Sequence, residues 1–170
     1  NDIIEMFKEL VEKSKQKLKV KIVDLAVVAV TNVFEFVLEE KLNDPNSSWI
    51  FLDIGAQTTS FVIYNKNSIV FTKEMNVGGV IITEEIQRQM GVNYTEAEDL
   101  KITGDENGNL PEEIIEIIDD VLETFFMEIK KTVDFYITSS SDESLRECVV
   151  TGGGALIPGL IDGLEALLGF

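Results

Sequence analysis

Two apolar runs, residues 49–52 and 61–64, flank a turn of small and hydroxyl-bearing residues, Asp53-Ile54-Gly55-Ala56-Gln57-Thr58-Thr59-Ser60. Runs this short, rich in aromatic and β-branched residues, predict buried strands joined as a hairpin. Gly55 and Ala56 keep side chains away from the turn, so its backbone N–H groups can face an anion, and Thr58, Thr59 and Ser60 add hydroxyl donors. Asp53, at the end of the first strand, repels a bare phosphate. The pairing makes chemical sense when Mg²⁺ lies between carboxylate and phosphate, held largely through its waters. An ordinary hairpin whose Gly and Thr residues serve the turn fits this segment alone equally well.

The rest of the chain narrows the chemistry. Its 170 residues suffice for one domain or two joined subdomains, and a hydrophobic fraction of 45% supports a real core. Fourteen Lys and Arg stand against 31 Asp and Glu, a net charge of −17 that argues against nucleic-acid binding, because phosphate backbones are repelled. With no His, imidazole bases, imidazole metal ligands and Ser-His or Cys-His nucleophiles are excluded. Cys148 is the single cysteine, within an apolar run, and is expected to be a buried free thiol in a reducing compartment. No apolar run is long enough to span a bilayer. Asn1 directly precedes an amphipathic helix and Gly169-Phe170 directly follows another, so the expectation is a piece of a longer protein.

In chain order, Asp2 can cap a helix reaching about residue 17, with Ile3, Ile4, Phe7, Leu10 and Val11 on one face. Lys19 and Lys21 then alternate with Leu18, Val20 and Ile22 in a strand pattern, and a second helix over 26–41 presents Val27, Val30, Phe34 and Val37. The lysines around 13–21 read as a solvated face, or alternatively as a surface for an anionic partner. Beyond the hairpin, Asn65-Lys66-Asn67 turns the chain into a third strand over 68–73. Gly78-Gly79 opens a helix to about Met90, closed by Gly91. Asn93 and Glu96 make a capping box for a short helix that places Glu98 and Lys101 on one face, an ion pair by the simpler reading. The oxygen-rich loop 103–109 lacks the full calcium-loop spacing. A long helix from Pro111 to about Thr138 buries Ile114, Ile118, Val121, Phe125, Ile129 and Val133 as core. A strand through Cys148, Val149 and Val150 then leads into Thr151-Gly152-Gly153-Gly154-Ala155-Leu156-Ile157-Pro158-Gly159 and a final helix. Three glycines let a flat ligand lie against the backbone, although the spacing is neither a Walker loop nor a dinucleotide fingerprint.

Taken together these motifs resemble the second half of an actin-fold ATPase, the superfamily of actin, DnaK-type chaperones, sugar kinases and FtsA. Residues 52–59 resemble its second phosphate motif and residues 151–159 its adenosine motif, with Glu98 and Lys101 between them where ribose and adenine are contacted. Within the superfamily the chain resembles the PilM family of type IV pilus assembly. That resemblance rests on Asp53-Ile54-Gly55-Ala56 with Thr58-Thr59, Gly78-Gly79, Thr83-Glu84-Glu85-Ile86-Gln87-Arg88, Ala97-Glu98 with Lys101, Leu110-Pro111, and the glycine motif.

The resemblance implies an α/β, actin-like (ribonuclease H-like) fold with a mixed sheet flanked by helices. Residues 1–48 would close a first actin-like domain as helix-strand-helix, and 49–170 would form the second, with a subdomain inserted at about 80–110. It implies ATP and Mg²⁺ as ligands: Asp53 positions Mg²⁺ through water, Gly55, Gln57, Thr58 and Thr59 hold the phosphates, Glu98 and Lys101 flank ribose and base, and Gly152, Gly153, Gly154 and Ala155 floor the adenosine. Gln57 stands where FtsA and actin commonly have glycine. Actin-fold proteins carry a first phosphate motif resembling this hairpin, and FtsA and PilM a small subdomain inserted in the first half; only one copy of the motif occurs in these 170 residues. The implied role is a cytoplasmic scaffold at the inner face of the membrane. Its implied partners are the N-terminal cytoplasmic tail of the membrane protein PilN, other pilus assembly proteins, and a second copy of itself. At most it is a slow ATPase, with no assigned catalytic residue. The alternatives are an FtsA-like division tether, an actin-fold sugar kinase, and a scaffold that ignores nucleotide.

Overall fold

A hairpin with two apolar faces needs cover on both sides and neighbours on both edges, and the sheet grows from it accordingly. The computed structural model describes residues 2–16, 18–42, 47–103, 109–140 and 144–170. Strand β1 (Ser48–Ile54) pairs antiparallel with β2 (Thr59–Asn65), setting Leu52 opposite Phe61 and Asp53 opposite Ser60. Lys66 and Asn67, at φ 49° and 60°, make the two-residue turn that twists with the strands and returns the chain as β3 (Ser68–Met75). Strand β4 (Leu145–Thr151) joins the other edge of β1 in parallel, so the order is β3-β2-β1-β4 and the sheet is mixed. A parallel neighbour requires a long crossover, which three helices supply.

Those helices are α4 (Gly79–Met90), α5 (Tyr94–Thr103) and α6 (Glu112–Ser140). Gly91, left-handed at φ 68°, donates its N–H to the Gln87 carbonyl and ends α4; Asn93 Oδ1 accepts the Glu96 N–H at 3.0 Å and starts α5. Helix α6 buries Ile114, Ile118, Leu122, Phe125, Ile129 and Val133 at three- and four-residue steps, against Ile50, Leu52, Ile54, Phe61 and Ile63 of the sheet. Val121, expected in the stripe, is only partly buried at its margin, while Ile117 and Tyr136 extend it. Strand alternation places Trp49, Phe51, Val62 and Tyr64 on the opposite face, where they too are buried. Beyond β4 come a 3-10 turn (Gly153–Leu156) and α7 (Leu160–Leu168), whose Gly163 lies so near α6 that a Cβ there would meet the Phe126 ring at 2.1 Å.

The chain divides into two compact units, Asn1–Val37 and Leu38–Phe170. In the first, α1 (Asp2–Glu12) has the expected apolar face but buries none of it; Phe7 is 59% exposed and Leu10 62%. Residues 18–25 form no strand, correcting the expectation for 18–22: alternation of Lys with apolar residues makes a strand only where a neighbouring strand supplies hydrogen bonds, and Ile22 stands 82% exposed. Helix α2 (Ala26–Val37) stops earlier than expected; Thr31 and Phe34 are its buried residues and Val37 is exposed, and the short α3 (Glu39–Leu42) belongs to the second unit. The breaker at 43–46, the core of the oxygen-rich loop at 104–108 and the polar stretch 141–143 lie outside the described residues.

Candidate functional site

The three glycines after β4 are there for different reasons. Gly152, at φ 86° and ψ 171°, crosses directly over the end of β1: a Cβ would come within 2.4 Å of the Ile54 carbonyl oxygen and 2.8 Å of Asp53 Oδ1. A Cβ on Gly154 would overlap Ile54 Cγ2 at 2.1 Å. Between them, a Cβ on Gly153 would meet nothing within 4 Å. Two glycines therefore admit the backbone to the sheet, and the middle one leaves a bare surface for something flat.

The hairpin turn is tied to the start of α4. Gly55 N–H closes the turn on the Thr58 carbonyl at 2.9 Å, while Gly79 N–H donates to Gly55 O at 3.1 Å and Val80 N–H to Ala56 O at 2.8 Å. Gly78 is required by this approach, since a Cβ would sit 2.5 Å from Ala56 O. The leading N–H groups of α4 that would otherwise be orphaned are thus satisfied by the turn. Gln57 is exposed at its tip and Thr58 partly buried. Thr59 departs from its expected role: it is fully buried and donates its hydroxyl to Val77 O at 2.7 Å, bracing the link from β3 to α4. Alternation along β2 turns Thr59 to the core face, so its hydroxyl is spent inside the fold.

Glu98 and Lys101 come together with a third residue, Thr83 of α4, that is wholly buried. Lys101 Nζ donates to Glu98 Oε2 and Thr83 Oγ1, both at 2.7 Å, and to Gly79 O at 3.2 Å; the Thr83 hydroxyl donates to Glu98 Oε2. Burial pushes the Glu98 carboxyl up, but hydrogen bonds from Lys101 and Thr83 and the Lys101 charge together hold it below the ordinary 4.5. A depressed carboxyl stabilises the fold above its unfolded pKa, and that contribution disappears as pH falls through the lower folded value. In Lys101→Met the Glu98 titration, followed by carboxyl ¹³C NMR, is expected to move up, because the Lys101 hydrogen bond and charge are lost and burial is then opposed by the Thr83 hydrogen bond alone.

These three segments enclose a cleft of about 460 Å³, a volume suited to a small organic ligand. Of the residues expected to hold nucleotide, Gly55, Glu98, Lys101, Gly153 and Gly154 line it, together with Ala56 of the turn. Asp53, Gln57 and Thr58 do not; they stand at the ends of β1 and β2 beyond the Gly55 side, and Gly152 and Ala155 flank the lining. Sequence reasoning missed Gly79, Tyr94 and Ile102 as walls and Ile118 as floor, the last because a core stripe and a cleft floor share one hydrophobic signal. Cys148 lies elsewhere, partly buried in β4, its thiol pushed up to about 12 by burial and so kept protonated. Among the described residues no three His, Cys, Asp or Glu side chains gather to hold a metal, and no helix is long and apolar enough to cross a membrane.

The family model described as "Type IV pilus assembly protein PilM" matches residues 1–170. Among solved structures, the chain is similar to one in a PilM-PilN type IV pilus biogenesis complex, at 25% identity and TM-score 0.74, over 90% of this chain and 42% of that one. It is similar to ethanolamine utilization protein EutJ from Carboxydothermus hydrogenoformans at 20% identity and TM-score 0.59, over 99% of this chain and 66% of EutJ. Ta0583, an archaeal actin homolog in complex with ADP, aligns at 17% identity and TM-score 0.62, over 86% of this chain and 49% of Ta0583. The chain thus spans 42% and 66% of the length of the first two. The last two likenesses bear on fold alone, and the fold is the actin-like ATPase fold implied by the order of the motifs.

Proposed function

We propose, from the premise that this chain belongs to the PilM family of type IV pilus assembly proteins, that it forms the nucleotide-holding second domain of a scaffold that docks the cytoplasmic tail of PilN. One observation carries the nucleotide reading: the cleft between Gly153-Gly154, the Gly55-Ala56 turn and the Glu98–Lys101 pair. Gly153 offers a face without side chains to an adenine ring, and Glu98 offers an acceptor to ribose hydroxyls. Beyond Gly55, the open side of the turn with Gln57, Thr58 and Asp53 takes the phosphates. A chain of net charge −17 attracts a polyphosphate poorly. Mg²⁺ carried on the phosphates and met by Asp53 through water removes that obstacle, and a single protein carboxylate suits such an ion.

The partner reading draws support from the likeness to a chain of a PilM-PilN complex. The family match favours pilus assembly over an FtsA-like division tether or a sugar kinase. On this reading residues 1–48 end the first actin-like domain, and the protein works in the cytoplasm against the inner face of the membrane, beside other assembly proteins and copies of itself. Nucleotide acts by changing which partner-binding conformation is populated, with slow hydrolysis as an accompaniment. A scaffold indifferent to nucleotide is the second reading, favoured by Gln57 at the tip of the turn. Anisotropy titration of a PilN-tail peptide into the full-length protein separates the two. The expected result is a change in tail affinity of at least about fivefold, roughly 1 kcal/mol, on adding Mg·ATP; equal affinities with and without nucleotide support the second reading.

A further inference from the structure

Lys101 stands beside Glu98 in the cleft wall, yet its ammonium has nothing left to give. An ammonium has three donors, and Lys101 has three acceptors: Glu98 Oε2, Thr83 Oγ1 and Gly79 O. Its side chain is only 14% exposed. Thr83 is the pivot of the arrangement. Its oxygen accepts from Lys101, and its single proton has two acceptors in reach, Glu98 Oε2 and Gly79 O at 3.3 Å. The charged carboxylate is the stronger. Both bonds to Glu98 fall on Oε2, leaving Oε1 for a donor from the cleft.

Resting on the nucleotide reading above, we propose that Thr83 is a positioning residue: it locks Lys101 away from the ligand and fixes Glu98 as a carboxylate that only accepts, so that this end of the cleft selects a ligand by its free hydroxyl groups. Lys101 then contributes its aliphatic stem and the orientation of Glu98, and makes no charged contact with the ligand. Thr83→Val keeps the shape of the buried side chain and removes both bonds. It frees one Lys101 donor and lets the Glu98 carboxylate turn.

The test is calorimetric titration of the full-length protein with Mg·ATP and with its 2′-deoxy and 3′-deoxy analogues, in wild type, Thr83→Val and Thr83→Ser. Wild type is expected to prefer ATP over at least one deoxy analogue by about tenfold, the scale of one hydrogen bond to a charged acceptor. In Thr83→Val that preference falls to within about twofold with affinity for the deoxy analogue unchanged, and Thr83→Ser restores it. A preference unaltered by Thr83→Val, or equal weakening of all three ligands, overturns the proposal while leaving nucleotide binding in place. Failure of wild type to bind any of the three overturns the nucleotide reading and this proposal together.

Discussion

Gly152→Ala is expected to destabilise the protein by roughly 2–4 kcal/mol, combining backbone strain with overpacking. At φ 86° and ψ 171° the residue occupies a region open in practice to glycine alone, and the added methyl would lie 2.4 Å from the Ile54 carbonyl oxygen. Neither strain can relax cheaply, because Ile54 is the last residue of β1, an inner strand of the sheet, is paired with Thr59 of β2 and has its side chain fully buried. Gly153→Ala, one residue on, meets no atom within 4 Å and is expected to change stability by no more than about 0.5 kcal/mol. Its methyl instead intrudes on the cleft, so ligand affinity falls while stability holds. Urea denaturation of both full-length variants checks this: the midpoint shifts down for Gly152→Ala and stays near wild type for Gly153→Ala.

Asp53→Ala carries the second large effect, on binding rather than on folding. Asp53, the penultimate residue of β1, lies between Ser60 on β2 and Thr151 on β4 and is partly exposed. With no cluster of three acidic, His or Cys side chains among the described residues, the proposed Mg²⁺ would take most of its ligands from phosphate oxygens and water, with Asp53 as the protein's carboxylate. Removing it is expected to weaken Mg·ATP at least about tenfold, or about 1.4 kcal/mol. The dependence of affinity on Mg²⁺ concentration flattens as well. The fold should be indifferent, as a partly exposed carboxylate near a strand end leaves no buried partner behind.

Composition, periodicity and breakers located the sheet, the crossover helices and the closing motif because each has a strong local cause: short apolar runs in β1 and β2, Gly91 ending α4, and the stripe from Ile114 to Val133. The strand predicted at 18–22 shows the limit of that logic, since alternation expresses a strand only where a partner strand exists. Thr58 and Thr59 are alike in composition, yet strand geometry sends Thr59 into the core and its hydroxyl to Val77. Glu98 and Lys101 were legible as an i,i+3 pair. Thr83 was not, because its link to them spans 15 and 18 residues and exists only once α4 and α5 pack. The glycines were visible as a cluster, but the division of labour among Gly152, Gly153 and Gly154 depends on where Ile54 lies beneath them.

Calorimetric titration of Mg·ATP into the full-length protein, wild type beside Asp53→Ala, decides whether the cleft holds the nucleotide. Micromolar or tighter binding by the wild type, roughly −8 kcal/mol, weakened at least about tenfold by the substitution, is the predicted result. No heat of binding to a folded wild type would contradict it and leave a scaffold that keeps the actin-like fold for its shape alone.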